Sequence, residues 1–337
     1  MTINVAICGT GYIARIHARA IQNIHGARVV AVAGHLPEKT AAFATEFKIP
    51  HVFDDHRALI KSHLADALVI CSPNALHAPQ TLAALNVGMA VMVEKPMAMN
   101  SREAEQMHEA SVKNSVPLMV AHCWRFDRDV LWLKKQVNSG RLGHVIRTKG
   151  YGVHANWGPS GWFTERRLAG GGALADMGVH ALDTARFLLG DPQPVSVYAR
   201  IGTHYMDGDV DDTGVMLVTW DNGVHSYIES GWWQPHTDGP EAATQLYGTH
   251  GFGSVFPTRL ELPNAKKRKV DIIDSGLPFP RKEQCPQDMY DRQMAAFIQS
   301  VKDRSVPKPG GMEGMINMKV LDAAYRSAKS GKVEAIK

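Results

Sequence analysis

The stretch GGGALADMGVHALD, residues 170–183, sets Asp176 and His180 four positions apart behind three glycines. An imidazole beside a carboxylate can take up and release a proton near neutral pH. On a helix turning about 100° per residue, Leu174, Met177, Gly178, Ala181, Ala185 and Leu188 form one apolar stripe. Asp176, His180, Asp183 and Phe187 form the opposite stripe. Two readings of that polar stripe stand: a solvated back face with a weak i,i+4 pair, or the wall of a cleft. The stripe has no Lys or Glu and is flanked by Ala173 and Val179, which favours a cleft, and the glycines leave room for another molecule to approach. As a metal site the trio Asp176, His180 and Asp183 is awkward, because positions seven apart on a helix lie about 10 Å apart along its axis. No metal is expected.

A second candidate is Lys95 in VMVEKPMAMN, where Pro96 restricts it to an extended backbone and Glu94 stands beside it. A third is SPNALH, residues 72–77, in which Asn74 and His77 can cap a helix or face a ligand. The fourth is CGTGYIA, where Gly9, Gly11 and Ala14 match the G-x-G-x-x-G/A pattern. There the first glycine permits a tight turn, and the second lets backbone N–H groups meet a pyrophosphate at a helix N-terminus.

These residues need a scaffold, and the first third of the chain supplies one. INVAIC (3–8), RVVAVA (28–33), ALVICS (67–72), AVMVEK (90–95) and VPLMVAH (116–122) are short apolar runs separated by helical patterns. Such runs belong to a parallel sheet covered on both faces, which collects ligands beyond the carboxyl ends of its strands. Every candidate of the preceding paragraph lies at such an end. The glycine turn between strand and helix therefore reads as a dinucleotide site. The second strand ends in Gly34 and His35 without the carboxylate that grips an adenosine ribose, and Lys39 follows; NAD and NADP both stay open.

In the second half, VTWDNGVHSYIES holds two alternating runs around Asn222-Gly223, a hairpin signal, and VSVYARI (195–201) is another strand. Helical patterns cover 289–301 and 314–328. The 337 residues suit two domains, with 45% hydrophobic and 21% charged residues, as in ordinary globular proteins. A net charge of +4 does not argue for nucleic acid, and the basic run KKRK (266–269) reads as a solvated loop or strand edge. Four scattered cysteines (Cys8, Cys71, Cys123, Cys285) have no metal or redox spacing. With no signal-like start and no membrane-length apolar run, a cytoplasmic enzyme without a membrane partner is expected.

Taken in order, GTGYIA, SPNALH, EKP and GGGALADMGVHALD resemble the Gfo/Idh/MocA family of nicotinamide-dependent oxidoreductases, as do Arg125-Phe126, SGRLGHV (139–145) and AAYRSAKSGK near the end. The resemblance implies an α/β protein: a Rossmann dinucleotide-binding domain over 1–122, then an α/β domain over 123–337 with an open, mostly antiparallel sheet. That sheet would serve substrate binding and homo-oligomer formation, as a dimer or tetramer, and the C-terminal segment would return along the first domain. The expected cofactor contacts are Gly9, Gly11, Tyr12, Ile13, Gly34, His35, Ser72, Asn74, His77, Glu94 and Lys95.

The resemblance also implies catalysis by Lys95, Asp176 and His180 on a secondary hydroxyl of a sugar, cyclitol or related polyol. His180 would be the general base, Asp176 would orient it or hold the substrate, and Lys95 would stabilise alkoxide charge. Substrate contacts are expected from Arg125, His154, Trp162, Asp176 and His180, with Trp157 and Arg166 in the same stretch; GWWQPH (231–236) could add a wall. The alternatives are a redox-neutral NAD-dependent glycosidase on the same fold and a nucleotide sensor without turnover.

Overall fold

The computed structural model describes residues 2–235, 239–264, 266–283 and 285–336, and these fall into two compact units. The first contains residues 2–123 together with 285–315; the second contains 124–283 and 316–336. The chain leaves the first unit after residue 123 and comes back to it at 285.

The first unit carries strands β1 (Ile3–Cys8), β2 (Ala27–Ala33), β3 (His51–Phe53), β4 (Ala67–Ile70), β5 (Ala90–Val93) and β6 (Leu118–Val120). They form a parallel six-stranded sheet in the order β3-β2-β1-β4-β5-β6, the doubly wound arrangement whose order reverses between β1 and β4. Helices α1 (Tyr12–Gln22), α2 (Pro37–Phe47), α3 (His56–Lys61), α4 (His77–Leu85) and α5 (Ser101–Asn114) connect the strands. Val5, Ala6, Ile7, Leu68, Ile70, Val91 and Val93 are fully buried, as a sheet covered on both faces requires. Asp55 caps α3 by accepting from Arg57 N and Ala58 N, and Asn100 caps α5 through Glu103 N.

The second unit begins with α6 (Arg128–Asn138) and β7 (Val145–Ala155), followed by a short α7 (Arg166–Ala169) and α8 (Val179–Leu188). Strands β8 (Pro194–Gly202), β9 (Thr213–Trp220), β10 (His225–Gln234), β11 (Ala242–Gly248), β12 (Gly251–Val255), β13 (Arg259–Asn264) and β14 (Lys269–Asp274) come next. With β15 (Glu334–Ala335) and β7 they make a nine-stranded sheet, β14-β13-β12-β11-β7-β10-β9-β8-β15. Its one parallel pair is β7 with β10; the other pairs are antiparallel. The β9–β10 hairpin turns at Asn222-Gly223, where Gly223 has φ +79° and Asn222 accepts from Val224 N. The basic run lies at the β13–β14 turn and enters β14.

One face of this sheet is the core: Met216, Val218, Trp220, Ile228 and Leu246 are buried, and α8, whose Ala181, Ala185 and Leu188 are fully covered, packs over β7, β10 and β11. Gly152 of β7 lies under Met177, so a side chain there would press on the Met177 carbonyl at 3.1 Å. The opposite face is open, with Ile146, Leu217 and Tyr227 exposed and the Lys149 ammonium 5.9 Å from the Tyr227 and Tyr151 ring centres.

The returning segment is α9 (Gln287–Asp303), which packs on α1, and the chain finishes with α10 (Gly311–Ser330), whose residues divide between the units at 315/316. His17 meets Tyr290 edge-on at 5.8 Å, and Gln287 donates to the Ile16 carbonyl. No helix among the described residues is long and apolar enough to cross a membrane.

Candidate functional site

In the first unit the glycine turn follows β1 directly. Gly9 has φ +102°, and a Cβ on it would sit 2.5 Å from the Cys71 carbonyl oxygen. Only glycine lets the turn lie against the end of β4. Gly11 precedes α1 in ordinary extended geometry, and a Cβ built there meets nothing within 4 Å. No side chain caps α1, so its leading N–H groups and the bare Gly11 backbone form a cradle that fits a pyrophosphate. Tyr12 and His35 are exposed beside the ends of β1 and β2, Ile13 is half-buried, and Gly34 packs on Thr40. No carboxylate follows Gly34 within the turn.

Beyond β4, Ser72 and Asn74 are buried, and the Ser72 hydroxyl donates to Gln80. Beyond β5, the Glu94 carboxylate lies 2.6 Å from Nε2 of the fully buried His17 and accepts the Lys95 N–H at 3.2 Å. His77 stands apart from the expectation of a ligand contact. Its two ring nitrogens each lie 2.9 Å from a main-chain carbonyl, those of Pro96 and Ser72. Cys8 is buried behind the turn, where loss of water pushes its thiol up to about 12, so it acts as packing.

In the second unit the opening segment is one π turn, Leu174–Gly178, running into α8. The wider turn alters the phase expected for a uniform α-helix; the apolar stripe is buried, and of the polar stripe His180 and Asp183 are buried while Asp176 and Phe187 are half-buried. Asp176 Oδ2 accepts from Trp232 Nε1 at 3.1 Å, and His180, 9% exposed, stacks on Trp124 with ring centres 4.8 Å apart. Trp232 is buried in a cluster with Ala173, Met177 and Val210, on which Trp124, Phe163 and Trp233 also pack. An aspartate and a histidine are thus each fixed by a tryptophan.

Two of the three glycines, Gly171 and Gly172, make room for the protein's own atoms. A Cβ on Gly172 would fall 1.8 Å from the Asp211 carbonyl oxygen, and one on Gly171 would fall 2.1 Å from the Tyr325 hydroxyl. The protein's own atoms fill that space. Asp211 accepts from Gly172 N, Leu174 N and the Tyr325 hydroxyl, and so caps the start of the π turn. Burial raises the Asp211 carboxyl above its ordinary value, partly offset by those donors.

Several expected substrate contacts are engaged elsewhere. Arg125 is 4% exposed and donates to Asp183 at 2.7 and 2.8 Å and to Asp191 at 2.8 and 3.2 Å. The carboxylates hold its guanidinium above its ordinary value despite burial. Arg125 leaves the substrate set, and its partner Asp183 also accepts from Asn317. Arg166 is tied to Asp209, and Trp162 stacks on Phe163 at 3.9 Å. His154 stacks on Trp157 at 3.6 Å, and Trp157 Nε1 donates to Glu241 at 2.6 Å. Glu241, Trp124, Phe256, Phe279 and Arg281 line a cavity of about 340 Å³. In GWWQPH, Trp232 is the functional neighbour, while His236 lies outside the described residues. Sequence reasoning passed over Trp124, one position before the quoted Arg125-Phe126, as well as Glu241 and Asp211.

Comparison with known proteins identifies the family of both units. The model of an oxidoreductase family with an NAD-binding Rossmann fold matches residues 3–122, and that of the GFO/IDH/MocA C-terminal domain matches residues 130–252. D-glucoside 3-dehydrogenase of Escherichia coli (strain K12) is 29% identical, covering 98% of this chain and 96% of its own. The scyllo-inositol 2-dehydrogenase (NAD(+)) of Bacillus subtilis (strain 168) is 25% identical over 98% of this chain and 95% of its own. Levoglucosan dehydrogenase in complex with NADH and levoglucosan superposes with a TM-score of 0.88 at 22% identity, with 100% of both chains covered. From the glycine turn to the π turn, this chain belongs to the Gfo/Idh/MocA family of NAD(P)-dependent oxidoreductases.

Proposed function

We propose that the enzyme oxidises a secondary hydroxyl of a sugar, cyclitol or related polyol, with His180 as general base. The observation that carries this reading is the anchoring of Asp176 by Trp232 and of His180 by Trp124. A sugar offers hydroxyls for the polar pair and a C–H face for the Trp124 indole, which lines the cavity. Names of relatives support the substrate class: a glucoside, an inositol and D-xylose dehydrogenase are among them.

Bound NAD(P) supplies the acceptor for the carbinol hydrogen and its electron pair. His180 takes the hydroxyl proton, and the C–O bond becomes a carbonyl. Asp176, held by Trp232, orients the substrate or stabilises the imidazolium. Lys95 is assigned the stabilisation of alkoxide charge as it develops. The cavity beside Trp124 is assigned the part of the substrate remote from the reacting carbon. The cofactor set is Gly9, Gly11, Tyr12, Ile13, Gly34, His35, Ser72, Asn74, Glu94 and Lys95, and the open face of the nine-stranded sheet is assigned to a homo-oligomer.

Purified protein is mixed with NAD or NADP and a panel of monosaccharides, glycosides and cyclitols, and absorbance of the reduced nicotinamide is followed. Turnover that falls by roughly a hundredfold or more in His180→Ala supports the reading, the effect expected of a general base. Cofactor binding without oxidation of any panel member overturns it. Glycoside cleavage without net reduction would assign the redox-neutral reaction instead.

A further inference from the structure

His77 presents an accounting problem that hydrogen-bond chemistry can solve. The side chain is 1% exposed, with Nδ1 2.9 Å from the Pro96 carbonyl and Nε2 2.9 Å from the Ser72 carbonyl. A main-chain carbonyl can only accept. A neutral imidazole has a single N–H, and its other nitrogen carries a lone pair. In the neutral ring one lone pair would therefore press on a carbonyl oxygen at hydrogen-bond distance, in a site without room for water to intervene. An imidazolium donates to both.

His17 in the same unit shows the contrast. Its Nε2 faces the Glu94 carboxylate at 2.6 Å, while its buried Nδ1 has no hydrogen-bond partner. One proton satisfies that ring. The two histidines share a carboxylate neighbour but differ in the number of acceptors they face.

We propose that His77 is a positioning residue carrying a proton on both ring nitrogens, a buried imidazolium that staples the segment after β4 to the segment after β5. Ser72 and Asn74 lie on the first segment and Lys95-Pro96 on the second, so the staple fixes two walls expected to receive the cofactor. Burial, the largest influence, holds the group's proton affinity below its ordinary value; the two carbonyls and the Glu94 carboxylate offset it in part, and the Lys95 ammonium adds to it. Geometry alone carries the imidazolium against that direction: two charge-assisted hydrogen bonds form in the imidazolium, and a lone pair faces a carbonyl in the neutral ring.

The first test is the ¹⁵N spectrum of the histidine side chains in the intact protein, with His77 assigned by through-bond correlation to its own backbone. Two protonated nitrogens at neutral pH are expected; one protonated and one bare nitrogen would overturn the proposal. This readout does not depend on catalysis or on where the cofactor lies.

The second test is the Kd for NADH, measured by fluorescence against pH for wild type and His77→Gln, and it rests on the cofactor lying at these strand ends. Wild-type affinity should fall as pH rises through the titration seen in the ¹⁵N spectrum. His77→Gln should bind roughly tenfold more weakly and lack that pH step, the cost of one charge-assisted hydrogen bond. Superimposable pH profiles for the two proteins would overturn the staple's role in binding.

Discussion

The glycines of the two units look alike in the sequence and are used in opposite ways. Gly11 leaves its surroundings empty, with no protein atom within 4 Å of where a Cβ would stand. Gly172 leaves room that the Asp211 backbone takes up, at 1.8 Å from the corresponding point. One glycine leaves its space open, the other yields it to the chain itself. A glycine-rich motif thus marks close approach without saying what approaches.

The sharpest way to break this comparison is to add a methyl group at each place. Gly172→Ala has no tolerable geometry against a main-chain oxygen, and should cost about 3 kcal/mol or more, lowering the thermal midpoint steeply. Gly11→Ala should keep wild-type stability, since φ is −79° and ψ −169° there, and should weaken NADH binding roughly tenfold or more. If Gly172→Ala melts like wild type and loses substrate affinity instead, the space at the π turn belongs to a ligand after all.

Arg125 extends the contrast to charged residues. Arg125→Met strands Asp183 in the core and should cost about 3–5 kcal/mol by denaturant unfolding. A variant of normal stability with a raised KM would return Arg125 to the substrate site.

Asp211 gives a pH signature of the packed glycines. Its carboxyl is raised in the folded state, so the folded protein holds more protons than the unfolded one between the ordinary and the raised value. Its contribution to stability is therefore complete below the ordinary carboxylate range and is lost as pH rises through the raised value. Asp211→Asn should remove that slope and destabilise by about 1–3 kcal/mol, since an amide nitrogen then faces backbone donors. The smallest effect is expected of Trp232→Phe, which drops the donor to Asp176 and leaves part of the indole's volume unfilled; kcat should fall roughly tenfold, with a modest drop in the melting midpoint.

Legibility followed burial. Strands β1, β2, β4 and β5 are apolar on both faces and could be delimited within a residue or two of their ends. Strand β3 has three residues, two of them exposed, and leaves no pattern to read. β11 to β14 mix glycine, charge and apolar residues near a sheet edge, so no period stands out. The Asp176–His180 spacing was visible, but its tryptophan supports were not, because Trp124 and Trp232 lie 52 and 56 positions from Asp176 in numbering. Arg125 misled because a buried ion pair and a substrate-binding arginine have the same sequence appearance.

The return of α9 has a consequence for the making of the protein. Residues 285–315 complete the first unit only after the intervening 124–283 have been made. At roughly 5–20 residues per second, translation leaves the nascent sheet without its last covering helix for on the order of ten to thirty seconds. Throughout that interval the flank of α1 destined for Tyr290 and α9 stays uncovered on the ribosome. The apolar flank of α1 is therefore bare in the middle of synthesis rather than at the end.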